Sequence, residues 1–274
     1  MRRYLYLFVT VALLVPIVIA PAQASGWAQK SGKWLVIQNN SFYYNNRYFD
    51  ESGKNKSLGG YYRKYELNPY FEYGVTDEIT VGANLFASRA EQQNSSGYFS
   101  NYGVGDSEIF SRFRLWQSGG FSFSTEAMVK LKSFTNEQKQ PQIGSKNYDI
   151  GGGLSGGYGF SAYGENHFVN VDAGYRHRYG APHDQLKFAV TAGVSLNKKW
   201  QIIPQVFVTS STGKPQQALF TQSSSDDYNL TKLQISALYK VSSELSLQAG
   251  VFKDIAGRNV GDGRGGFFAI QKSF

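Results

Sequence analysis

The 274-residue chain contains no cysteine, three histidines, two methionines and seven prolines. The missing cysteine excludes a disulfide framework, a thiolate metal site and a cysteine nucleophile. Beyond the first two dozen residues there is no apolar run long enough for a membrane-spanning helix. Helical periodicity is absent as well. A concentrated charge is also lacking. The formal charge of +8 includes two N-terminal arginines, and the remaining excess is spread along the chain. Without a basic tract, nucleic-acid binding is excluded.

What the chain does have begins at residue 1. Arg2 and Arg3 precede the apolar stretch Tyr4 to Ala20, and Ala22-Gln23-Ala24 offers small residues on either side of a cleavage point. This is the pattern of a secretory signal peptide over 1–24, with the mature domain at 25–274. No cysteine follows, so lipid anchoring is not expected.

From Lys33 onward, aromatic and aliphatic residues alternate with polar ones in runs of ten or more. Twelve strands are expected, near 33–46, 61–74, 78–90, 104–117, 121–133, 147–161, 166–178, 185–196, 200–212, 228–240, 244–256 and 264–274. Alternate connections are very short, around residues 76, 119, 163, 198 and 242. Most of the others are long and polar, at 47–60, 91–103, 134–146 and 213–227. Tyr73-Gly74-Val75-Thr76-Asp77-Glu78-Ile79 and Tyr239-Lys240-Val241-Ser242-Ser243-Glu244-Leu245 share one turn pattern, and Ser195 to Trp200 is a looser copy.

An even number of alternating strands with short turns at one end is the pattern of a transmembrane up-and-down antiparallel β-barrel. The expected location is the outer membrane of a Gram-negative cell. The last strand agrees: Phe268, Ile270 and Phe274 share one parity, and a terminal aromatic on a final strand is the feature read by the barrel-assembly machinery. Lys272 breaks that row, but near a membrane edge its ammonium can reach the headgroups. Trp34, Trp116 and Trp200 fall at the short-turn ends, as an interfacial girdle requires. Trp116 has inward parity, so either a bulge turns it outward or it fills the lumen floor. Lys and Arg near the outer loops would meet anionic lipopolysaccharide.

Parity also assigns the lumen. Lys64, Glu66, Glu72, Asp106, Glu108, Arg112, Arg114, Glu126, Lys130, Lys132, Asp172, Arg176 and Arg178 are expected to point inward. They would form either an ion-paired wall or a surface that selects ions. The strand near 147–161 presents Gly151, Gly153, Ser155, Gly157 and Gly159 inward. A row so small implies curvature, close packing by something bulky, or open space. Lysines and arginines on both sides would make the open version a narrow passage favouring anions. Gly151-Gly152-Gly153-Leu154-Ser155-Gly156 also fits G-x-G-x-x-G, but the alternation continues as strand, so no dinucleotide site is expected.

His167, His177 and His183 have no serine or carboxylate at a spacing that suggests catalysis, so no enzyme activity, cofactor or metal is expected. Asp226-Asp227 reads as a solvated acidic pair.

Tyr65-Glu66-Leu67-Asn68-Pro69-Tyr70, Tyr73 to Asp77, Gly105-Asp106-Ser107-Glu108 and Arg112-Phe113-Arg114-Leu115 resemble the "meta-pathway of phenol degradation" family over about residues 60–274. These are outer-membrane transporters, broadly like fatty-acid and hydrocarbon barrels. The resemblance implies passage of a small aromatic or apolar solute, and the cationic lumen residues point to passive, porin-like passage of an anionic one. Similar small barrels accompany exopolysaccharide systems, so a non-conducting barrel whose outer loops bind a surface polymer is the alternative. Unlike fatty-acid barrels, the chain leaves no room for a hatch of several dozen residues before its first strand. Closure is therefore expected from outer loops or lumen side chains.

Overall fold

The computed structural model describes residues 26–274 except 137–138, 181 and 214–223, with backbone alone at 224–226. The signal peptide, its cleavage point at Ala24 and the side chain of Asp226 lie outside the described residues.

Fifteen strand segments form one antiparallel sheet. They are β1 (Trp34–Phe49), β2 (Asn55–Gly74), β3 (Ile79–Asn84), β4 (Ala87–Asn94), β5 (Gly97–Val104), β6 (Glu108–Ser118), β7 (Phe121–Lys130), β8 (Phe134–Thr135), β9 (Asp149–Ala162), β10 (Glu165–Arg178), β11 (Gln185–Ser195), β12 (Trp200–Ser211), β13 (Ser224–Lys240), β14 (Leu245–Gly261) and β15 (Arg264–Ser273). Three pairs are single barrel strands broken in mid-wall: β3/β4 at 85–86, β5/β6 at 105–107 and β7/β8 at 131–133. The barrel therefore has twelve strands. It closes where β1 pairs with both β2 and β15. Every segment except β8 has a neighbour on both sides, which suits a bilayer because nothing there can satisfy unpaired backbone groups.

The packing is inverted relative to a soluble domain. Leu67, Ile109, Leu186, Phe188, Val251 and Ile270 are exposed outward, whereas Thr80, Arg112, Asn170, Thr191 and Gln205 are buried inward. Trp34 meets Tyr73 at 4.6 Å and Trp200 meets Tyr239 at 4.8 Å with tilted rings, both pairs at the short-turn end. A bulge between Arg114 and Trp116 resolves the parity of Trp116, which turns outward toward Phe121. Lys272 stands over the Phe274 ring, and the Phe274 amide donates to the Trp34 carbonyl.

The short turns share one chemistry. The side-chain oxygens of Thr76, Asn197 and Ser242 each accept two backbone amides from the residues that close the turn. Such local side-chain bonds make these residue types good turn formers.

At the opposite end, two expected long loops are extended hairpins. β1 and β2 continue to a turn at 50–54, and β4 and β5 to a turn at 95–96. Their Asn, Ser and Gly residues read as loop, yet the ladder continues because cross-strand bonds outweigh weak strand propensity.

Candidate channel lumen

Strand register brings most of the charged residues expected inside into three layers. The lowest centres on Arg112, whose side chain is 4% exposed. It donates to Glu72 at 2.8 Å, to Glu126 at 3.0 Å and to the Trp27 carbonyl at 3.3 Å. Tyr70 adds a short hydroxyl bond to Glu72. A buried cation held by two carboxylates offsets its lost hydration through those partners.

The Trp27 contact marks what the sequence reading missed. Residues 26–29 lie inside the barrel at its short-turn end, and 30–33 are exposed at its rim. The Gly26 amide donates to Asn170 and the Gly26 carbonyl accepts from Ser124. Trp27 meets Phe168 edge-on at 5.9 Å, beside Ile203 and Leu238. Gln29 bonds Thr80 and Glu72, and Ser31 bonds Asp77. Closure therefore does not rest on outer loops and wall side chains alone. The only signal available was Trp27 itself, an aromatic set between Gly26 and Ala28 before the first strand.

Above this floor is a cavity of about 330 Å³, bounded by Gly151, Gly153, Glu126, Asp172, Arg176 and Lys187. The glycine row is thus divided. A Cβ on Gly157 would collide with Trp27, whereas Gly151 and Gly153 line the cavity. Ser155 and Asn170 both bond Asp172.

A second cavity of about 370 Å³ lies further up, bounded by Lys64, Glu66, Asp106, Arg178 and Gln185 among others. Glu108 and Arg176 line both cavities and form a short ion pair with each other. Around them, Lys130 is buried 3.5 Å from Asp106 and 3.4 Å from Asp149, and Arg176 and Arg178 also face Asp149. Outer residues cover the upper cavity. Ile143 packs against Tyr62 and Ala90, and the Ser145 amide donates to Asp106.

Two expected lumen residues need correction. Lys132 is exposed and sits over Tyr148, because β7 ends at Lys130 and parity no longer holds beyond it. Arg114 lies at the rim with Glu78 and Gln117 rather than in the charged centre. The wall formed by β11–β15 carries a ladder of amides and hydroxyls that was not anticipated: Gln205 to Thr191, Gln234 to Gln205, Gln248 to Ser236 and Gln271 to Gln248.

The histidines do have acidic neighbours. His177 Nδ1 lies 3.0 Å from Asp184, and His183 Nδ1 lies 2.7 Å from Asp227. Among the described residues no hydroxyl is hydrogen-bonded to either imidazole. Asp184 accepts from Tyr175, the Arg178 amide and His177, and these bonds hold its carboxyl down at about 2. Both pairs join the outer connection 179–184 to neighbouring strands.

The fold is similar to that of the COG4313 outer membrane channel from Pseudomonas putida F1. The TM-score is 0.70 at 12% identity, over 93% of this chain and 100% of that one. The β domain of the Bordetella autotransporter BrkA is more distant, with a TM-score of 0.52 at 12% identity, over 90% of this chain and 100% of that one. This chain has the fold of an outer-membrane β-barrel. No protein-family model matches it, and no curated protein matches it in sequence.

Proposed function

We propose that this barrel is a passive channel for a small solute, and that its narrowest point is the Arg176–Glu108 ion pair. The observation that carries the reading is the pair of stacked cavities with those two residues in common. Each cavity is near the lower end of the range for small-molecule pockets, so a single-ring compound fits and a polymer does not. The family resemblance supports an aromatic or apolar solute, and the similar Pseudomonas protein is itself described as a channel.

The expectation of an anion-favouring lumen weakens, because Arg112, Lys130 and Arg176 all have carboxylate neighbours. What remains is a balanced polar constriction that discriminates by size and by the ability to replace hydrogen bonds.

Conductance of the purified protein in planar bilayers tests this. The wild type should give small steps with little preference between cation and anion. Arg176→Ala should enlarge those steps by at least twofold. Silence from both proteins, each shown to be folded by heat-modifiable mobility, would overturn the channel reading.

A further inference from the structure

The outer wall carries a charged and apolar arrangement that the lumen does not use. Arg63 on β2 lies ten residues from the girdle residue Tyr73, Arg89 on β4 ten from Ile79, and Arg264 on β15 ten from Phe274. At about 3.3 Å per residue and a tilt of about 40°, ten residues climb about 25 Å, the height of the apolar band of such barrels. The three guanidinium groups therefore lie at the outer-leaflet edge.

Ladder pairing puts them side by side. Tyr44 is opposite Arg264 on one flank and Arg63 on the other, and Arg63 is opposite Glu91. Glu91 binds both Arg63 and Arg89, while Arg264 is held over the Tyr44 ring at 5.7 Å. Lys253, opposite Arg264, pairs with Asp262 at 2.5 Å. Four cations thus face two carboxylates, which leaves a positive excess.

Directly below is an outward groove of about 940 Å³, lined by Phe42, Tyr65, Leu67, Tyr102, Val104 and Phe134. Tyr102 and Phe134 are 74% and 72% exposed, well beyond the other aromatics of this wall. The groove forms because β8 pairs with β5 through only two residues before the chain leaves the sheet.

We propose that this face binds one phosphorylated, acylated glycolipid of the outer leaflet. Its phosphates would meet Arg63, Arg89 and Arg264, and an acyl chain would lie in the groove. Guanidinium groups suit phosphate because they can donate two parallel hydrogen bonds to its oxygens. The order of cations above an apolar trough matches the order of headgroup above chains, which is the complementarity that selects lipid over a soluble anion.

The test is titration of the purified full-length protein in detergent, read by native mass spectrometry. The probes are bisphosphorylated lipid A, the dephosphorylated form and inorganic phosphate. The wild type should bind the bisphosphorylated lipid at least tenfold more tightly than the dephosphorylated one. The triple variant Arg63→Gln, Arg89→Gln, Arg264→Gln should lose that preference. Arg264→Gln alone, which removes only a ring contact, should lose part of it without disturbing the fold. Equal affinity for both lipids would overturn the proposal, as would a preference that survives all three substitutions. Saturable binding of inorganic phosphate that competes with the lipid would assign the arginines to a soluble anion instead.

Discussion

At the scale of single residues, Arg112 joins the wall to the segment that fills it. Replacing it with methionine leaves the buried Glu72 and the half-buried Glu126 without their cation and removes a hold on the Trp27 carbonyl. Breaking such a pair costs about 3–5 kcal/mol, most of it from the charges left behind. Urea unfolding in vesicles should show a loss of that order for Arg112→Met, and adding Glu72→Gln and Glu126→Gln should restore most of it. If the triple variant is no more stable than the single one, the cost is not electrostatic.

Asp184 gives a second residue-level prediction. Its folded value of about 2 lies below the ordinary 3.8, so its contribution to the outer connection is present above pH 3.8. That contribution is lost as the pH falls through about 2. Proteolysis of the connection by an acid-tolerant protease should stay flat from pH 6 to pH 4 and rise only below pH 3. Asp184→Asn should be cut faster across the whole range. Inward parity made Glu72, Glu126 and Arg112 legible from sequence. Lys132 was not, because a strand end breaks the period-2 rule, and for Trp116 parity left a bulge and the lumen floor as alternatives, of which the structure shows the bulge.

At the scale of elements, β9 is the most informative strand. Its alternation was readable, and so were the alternatives of packing or open space for its glycines. The sequence could not show that both hold on one strand. Gly157 makes room for Trp27 while Gly153 faces the cavity, and the division depends on where residues 26–29 come to lie. Opposite consequences follow for the same substitution. Gly157→Leu should push Trp27 out of its seat and raise conductance severalfold. Gly153→Leu should fill the lower cavity and reduce conductance, although its Cβ would also crowd the Ala173 carbonyl at 2.8 Å. Equal effects from both variants would mean that the row serves only to bend the strand. The hairpins at 50–54 and 95–96 were misread for a different reason. Out of the bilayer no apolar face is required, so their alternation fades although the hydrogen-bond ladder continues.

At the scale of the whole molecule, closure of the barrel and filling of its floor are separate problems. The first was legible, because a bilayer imposes alternation, girdles and paired edges on every strand at once. The second was not, because a short lumen segment has no periodicity and borrows its partners from many strands. Residues 26–29 bond to β2, β3, β6, β7 and β10 but belong to no ladder. Most of these contacts are single hydrogen bonds, each worth about 1 kcal/mol net, whereas Trp27 contributes the one large apolar contact. Removing that side chain should therefore loosen the floor without opening the wall. Trp27→Ala should keep the barrel's heat-modifiable mobility and its unfolding midpoint close to wild type, since the ladder that fixes the twelve strands is untouched. Its single-channel conductance should rise severalfold, and combination with Arg176→Ala should raise it further, because the two changes act at successive points along one path. If Trp27→Ala conducts like the wild type while Arg176→Ala is enlarged, the path runs past the segment and the floor is structural.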